Sequence, residues 1–107
     1  MWCQTSIENK NMIYVKRNVS QNSEVVAFCD EDLIGKTFKE KNLKLEITER
    51  FYKGELMKDE DAVLLMKNSR SINIVGKHSI KIAIKANIIK KENVIKIKNI
   101  PHALVFE

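Results

Sequence analysis

The sequence predicts a small α/β domain: a mixed sheet of four to five strands with an N-terminal hairpin, two main helices and a C-terminal βαβ unit. Three observations predict this fold. Two short apolar runs, residues 12–16 and 23–29, are separated by a polar, turn-prone stretch. Apolar residues at positions 43, 45, 47 and 51 alternate with polar or charged residues at positions 44, 46, 48 and 50, as in a half-buried strand. Residues 71–100 read as strand, tight turn, helix, loop and strand, which is typical of a βαβ unit.

The length of 107 residues is that of one domain, and we assign residues 12–107 to it. Residues 1–11 show no period and are predicted to be a disordered leader or an over-long gene start. They do not resemble a secretory signal, and no apolar run approaches the roughly 20 residues that span a bilayer. We therefore expect a cytoplasmic protein, with Cys29 as a free buried thiol. A disulfide between Cys3 and Cys29 remains the open alternative.

The first half of the domain is predicted to contain a hairpin, a helical turn and a strand. The continuous run from Val25 to Phe28 indicates an inner strand that is buried on both faces. Asp30 is a good N-cap for a short helical turn that Gly35 ends. The alternating strand that follows is expected to end at Gly54.

The second half is predicted to contain two helices and two further strands. Asp59 is expected to cap a helix that ends near Asn68. In the βαβ unit, Gly76 ends the first strand, and the helix shows its period in Ile80, Ala83, Ile84 and Ile88. The strand over residues 94–100 is expected to lie beside and parallel to the strand over residues 72–75. Pro101 should end it, leaving residues 102–107 as an edge strand or packed tail.

The positive charge is concentrated in one part of the chain. Residues 67–99 contain nine basic residues and one acid, a net of +8, whereas the whole chain carries +5. Such an imbalance is typical of a surface that binds nucleic acid, and the alternative is a solvated helix face. No aromatic residue lies in this stretch, which disfavours binding by base stacking. The predicted nucleic-acid contacts are Lys77, Lys81, Lys85, Lys96 and Lys98. Whether the helix lysines and strand lysines form one patch or two stays open.

A second candidate site lies at the predicted strand ends. Gly76, His78 and Ser79 occupy a strand-to-helix turn whose backbone N–H groups suit an anion. His102 follows the other predicted parallel strand and could approach them, because ligands bind at the carboxyl ends of strands in open α/β sheets. A single glycine is a weak signal for a phosphate loop, and two histidines without a third ligand make a poor metal site. We therefore predict no metal, no cofactor and no catalytic residue, and leave a phosphorylated-ligand site or an enzyme as the alternative.

Several stretches resemble an archaeal family known as domain of unknown function 424. They are residues 29–38, 43–46, 50–54, 73–76 and 100–103, in that order along the chain. The resemblance implies a small archaeal cytoplasmic protein with no established activity, associated with the translation apparatus. It makes Lys36, Phe51 and Tyr52 candidates for a partner surface, which would suit a protein–protein adaptor. Taken together, the sequence favours a non-catalytic module that binds RNA or a ribonucleoprotein.

Overall fold

The computed structural model describes residues 12–106 and confirms the mixed α/β class. The predicted leader and Cys3 lie outside these residues. The described strands are β1 (Ile13–Ser20), β2 (Ser23–Asp30), β3 (Thr37–Glu40), β4 (Leu43–Glu46), β5 (Glu55–Met57), β6 (Ile72–Val75), β7 (Ile95–Ile97) and β8 (Ile100–Val105). The helices are α1 (Glu49–Tyr52), α2 (Asp59–Lys67) and α3 (Lys77–Lys85), and 3-10 turns cover Glu31–Leu33 and Lys91–Asn93.

Six of these strands form one sheet in the order β5-β1-β2-β6-β8-β7, and β3 pairs with β4 in a separate hairpin. The predicted N-terminal hairpin is confirmed, with all eight residues of β1 opposite β2. The sheet is mixed because β2 and β6 are parallel, while the other neighbours are antiparallel. Four to five strands were expected from the sequence. The larger number arises from short strands, such as the three residues of β5, that show no periodicity of their own.

The sheet has two covered faces. On the first, here called the helix face, α2 and α3 pack over a core that includes Val26, Phe28 and Ile74. On the second, the hairpin face, α1 and the β3–β4 hairpin cover Ala27, Cys29 and other buried residues. Neighbouring residues of β2 thus enter opposite cores, since successive side chains of a strand point to opposite sides. This confirms the prediction of a doubly buried inner strand.

The C-terminal βαβ unit differs from the prediction in one respect. Both β6 and β7 are antiparallel to β8, so they run parallel to each other, but β8 lies between them. The expectation that the two parallel strands are adjacent is therefore wrong. The reason is a two-residue turn at Lys98 and Asn99, whose φ angles of 54° and 66° are those of a type I′ hairpin. This turn reverses the chain where the sequence suggested one continuous strand.

Pro101 lies inside β8 and does not break it. The last residue of β6 in the ladder, Val75, is opposite His102, so Pro101 lies just beyond the end of β6. Its carbonyl accepts a hydrogen bond from the Gly76 N–H at 3.0 Å, whereas the Gly76 carbonyl accepts from Ile80 in α3. If residue 101 had a backbone N–H, its acceptor in the ladder would be the Gly76 carbonyl, which is already bonded to Ile80. The missing N–H of proline therefore costs little stability here.

The strand predicted to run from residue 43 to Gly54 ends at Glu46. Thr48, read from the sequence as an outward strand position, instead caps α1, and its Oγ1 accepts from the Phe51 N–H at 3.2 Å. The alternation of polar and apolar residues continued into this helical turn and concealed its start. The helix predicted from residue 59 is confirmed as α2, although Lys58 rather than Asp59 occupies its N-cap position.

Candidate functional site

A lysine-rimmed groove lies between α3 and the segment that leads into β7. It has a volume of about 650 Å³. Four lysines and Asn99 line its polar parts, and four aliphatic side chains form its floor. The lysines are Lys77, Lys81, Lys91 and Lys96, and the floor consists of Ile80, Ile84, Val94 and Pro101. We call this the basic groove.

The end of α3 explains how the groove forms. Asn87 adopts a left-handed conformation with φ of 62°, and its N–H donates to the Ile84 carbonyl. The Ile88 N–H donates to the Ala83 carbonyl at 2.9 Å. This pair of bonds is a Schellman motif, in which the residue after the C-cap turns the chain back. The chain therefore returns beside α3, and Lys91 and Val94 face the lysines of the helix across the groove.

The strand and helix lysines share one face of the sheet. Lys77 and Lys81 are one helical turn apart on α3. Lys96 lies opposite Pro101 in the ladder, and the neighbouring Ile97 points into the hairpin-face core. Lys96 therefore points to the helix face, beside Lys77 and Lys81. The question of one patch or two is thus resolved for these three residues, which line one groove.

The basic groove is electrostatically one-sided. No carboxylate lines it among the described residues, and its four lysines are exposed. None of them forms an ion pair with any residue between 12 and 106. Four cations without compensating acids produce a positive potential that attracts anions and is weakened by salt.

Two predicted lysines lie outside the basic groove, and one groove lysine was not predicted. Lys85 lines a different depression between α2 and α3, together with Asp59 and Glu60. Lys98 is in the β7–β8 turn, where its backbone N–H donates to Glu40 at 2.8 Å. Lys91 was omitted because it lies in a loop with no period to place it. Only its position in the sequence, between the helix lysines and the strand lysines, could have indicated that it belongs to the groove.

The strand-end turn at Gly76 is occupied by a side chain of the protein itself. The carboxylate of Asp30 accepts hydrogen bonds from the backbone N–H groups of His78 and Ser79, at 2.9 and 2.8 Å. It also accepts from the Ser79 hydroxyl at 2.7 Å. Asp30 therefore caps α3 from a distant strand. The sequence predicted that it would cap its own 3-10 turn, but its side chain makes no hydrogen bond there. The N–H groups that suited a phosphate are already engaged.

A second cleft of about 710 Å³ opens beside this cap. Its lining includes three acids, Asp30, Glu31 and Asp32, and Lys77 stands between it and the basic groove. His78 Nε2 lies 2.8 Å from Asp59 Oδ1, which ties α3 to α2. A cleft with this many carboxylates does not favour a phosphorylated ligand.

His102 does not meet His78. It lies on the hairpin face, where its Nε2 is 3.0 Å from Asn73 Oδ1. The same oxygen accepts a hydrogen bond from the Tyr52 hydroxyl at 2.8 Å. Burial lowers the pKa of His102, which favours the neutral ring at neutral pH. The two histidines thus have different partners on opposite faces, and the structure does not bring them together.

The predicted partner surface is largely core. Tyr52 is only 4% exposed, and burial raises its pKa to about 12. Phe51 is half-buried against the same core, with its ring edge-on to Tyr52 at 4.9 Å. Of the three residues, only Lys36 is exposed. Phe51 and Tyr52 therefore contribute to packing, since aromatic residues at helix–sheet contacts carry much of the burial.

One further chemistry-bearing residue, Cys29, lies in the core. Cys29 is buried and forms no disulfide with any described residue, and burial, with Asp30 and Asp32 nearby, raises the pKa of its thiol. Within residues 12–106, no group of three or more histidine, cysteine and acidic side chains is arranged to hold a metal ion. In the same part of the chain, no helix is long and apolar enough to cross a membrane.

Comparison with known proteins agrees with this architecture. A family model described as "Protein of unknown function (DUF424)" matches residues 18–107. The fold is also similar to the crystal structure of an uncharacterized conserved protein from Methanopyrus kandleri, with a TM-score of 0.73 and 22% sequence identity. That similarity covers 90% of this chain and 94% of the other. No curated protein matches the chain.

Proposed function

Since the chain belongs to the DUF424 family of proteins of unknown function, we propose its function from the site: it binds RNA through the basic groove. The bound RNA is either free or part of a ribonucleoprotein, for example one of the translation apparatus. The protein acts as a non-catalytic module. Lys77, Lys81, Lys91 and Lys96 contact backbone phosphates, and binding is driven largely by release of counterions from the RNA.

One observation carries the proposal. Four lysines from three separate segments converge on one groove, and no carboxylate lines it among the described residues. A face that served only to keep the protein in solution would intersperse acids with the lysines. The acids of this protein are instead placed elsewhere, for example in the cleft on the other side of Lys77.

The two other functions have less support. A phosphorylated ligand at the Gly76 turn would have to displace the Asp30 carboxylate from His78 and Ser79. An adaptor built on Phe51 and Tyr52 would have to use side chains that are packed against the hairpin-face core.

The test is RNA binding across a salt series, measured by fluorescence anisotropy with nuclease-treated protein. Contacts to four phosphates predict that log affinity falls with log salt at a slope of about −3, at roughly 0.7–0.9 per contact. The groove variant K81E/K96E should bind more weakly, with a slope shallower by about 1.5. The matched control is K39E/K58E, which changes the net charge equally at exposed lysines outside the groove.

The control separates a defined site from general attraction. The proposal expects K39E/K58E to keep nearly the slope and affinity of the wild type. Equal losses in both double variants would mean that only net charge matters. No binding by the wild type at low salt would mean that the groove lysines are a solvated surface, and would overturn the proposal.

A further inference from the structure

The basic groove has an apolar floor that phosphate binding does not require. Ile84 and Val94 are partly buried at its base, and the buried Ile80 and Pro101 complete it. Lysines on a flat polar surface would hold a phosphate backbone equally well. Concave sites of about 300–1,000 Å³ with apolar walls and a few polar groups are typical of sites that bind small molecules. The groove, at about 650 Å³, lies within this range.

An intact RNA duplex would leave this floor unused. The duplex presents phosphates and hydroxyl groups to a protein, and its bases are stacked inside. Its rim of phosphates would contact the lysines while water remained on Ile84 and Val94. An unpaired base has a flat apolar surface that could cover these side chains and displace that water.

A single amide is placed to contact the edge of such a base. Asn99 lines the groove from the β7–β8 turn. Its side-chain amide offers two donors and an acceptor, and it makes no side-chain hydrogen bond to another described residue. Amide side chains recognise bases by pairing a donor and an acceptor with the base edge. The four lysines, the aliphatic floor and the Asn99 amide thus surround a single space.

We infer that the basic groove holds one unpaired nucleotide of its RNA, such as a bulge, a loop base or a strand end. This inference rests on the proposed RNA-binding function. The base lies on Ile84 and Val94 with its edge toward Asn99, and the flanking phosphates contact the lysines. The floor is aliphatic, so the base is held by burial instead of aromatic stacking, and its contribution is at the low end of that known for stacked bases.

The experiment compares two RNA duplexes of identical charge. Both carry one bulged nucleotide, and in one of them the bulge is abasic, so that only the base differs. The wild type should bind the complete bulge about tenfold more tightly than the abasic bulge, which corresponds to the low end of the range for stacked bases. N99G should reduce this ratio severalfold, because it should weaken binding of the complete bulge more than binding of the abasic bulge. Glycine retains the positive φ of position 99, so the turn is preserved.

The outcomes separate this inference from the function on which it rests. A ratio near one in the wild type, with lysine-dependent binding of both duplexes, would overturn the nucleotide site and keep the RNA-binding function. No binding of either duplex would overturn both. Adenosine and uridine monophosphates should bind far more weakly than bulged RNA, because each offers one phosphate to the four lysines. Equal affinity for a free mononucleotide would make the groove a small-molecule site and would overturn the inference.

Discussion

The cap that Asp30 provides to α3 should be a principal determinant of stability. In D30A the His78 and Ser79 backbone N–H groups lose their acceptor, which costs about 1 kcal/mol by comparison with other N-cap deletions. The Ser79 hydroxyl, in a residue that is 0% exposed, also loses its partner, and an unsatisfied buried polar group costs about 1–3 kcal/mol more. The free energy of unfolding should therefore fall by about 2–4 kcal/mol.

Urea unfolding followed by circular dichroism measures this change. With an m-value of about 1.5 kcal/mol/M, the midpoint should fall by about 1.3–2.7 M. The control is D32A, which removes an exposed carboxylate on the same segment and should change stability by less than about 0.5 kcal/mol. The reasoning would be refuted if the free energies of unfolding of D30A and D32A differed by less than about 0.5 kcal/mol, which is the size expected for a surface substitution.

Three further predictions concern the same fold. G76A should lose more than about 2 kcal/mol of stability in the urea assay, because φ is +113° and the added methyl group would clash with the Asp30 carboxylate; wild-type stability would contradict this. Burial lowers the pKa of His102 in the folded protein below its unfolded value of about 6.5. The contribution of the neutral ring to the free energy of unfolding is therefore complete above that pH and declines below it. H102Q should therefore lose less stability than the wild type between about pH 7.5 and 5.5, and equal losses would refute the assignment. Burial also raises the pKa of the Cys29 thiol, so in a C3S background a disulfide reagent at about pH 8 should modify it only after unfolding. Rapid modification of the folded protein would show that the thiol is accessible.

The elements with strong local patterns could be predicted from the sequence. The run around Phe28 and the helical period of Ile80, Ala83 and Ile84 each reflect burial against a sheet, and both lie where expected. Residues 98 and 99 could not be recognised as a turn, because Lys-Asn lacks the glycine that usually marks a type I′ hairpin. Because of this turn, β6 and β7 are not adjacent as predicted, and Pro101 lies inside a strand instead of ending one.

The candidate site was predictable in composition and less so in arrangement. Lys77 and Lys81 share a helix face by spacing alone, which sequence shows directly. The position of Lys96 beside them depends on which face of the sheet α3 covers, and the role of Asp30 depends on the parallel pairing of β2 with β6. Both are long-range properties, and neither leaves a periodic trace in the chain. The apolar floor depends on where the Schellman turn at Asn87 returns the chain, and this also leaves no periodic trace in the sequence.

The insertion of β8 between β6 and β7 also determines the order in which the sheet can assemble. During synthesis β6 emerges before β8, so the backbone groups along one side of β6 have no sheet partner until β8 follows. β7 and β8 are joined by two residues and pair on the time scale of a hairpin, about 1–10 μs, but β7 joins the sheet only through β8. We therefore expect the sheet to be completed when the β7–β8 hairpin docks onto β6. A chain that ends at Asn99 should expose that edge to other chains and aggregate at concentrations at which the 107-residue chain does not.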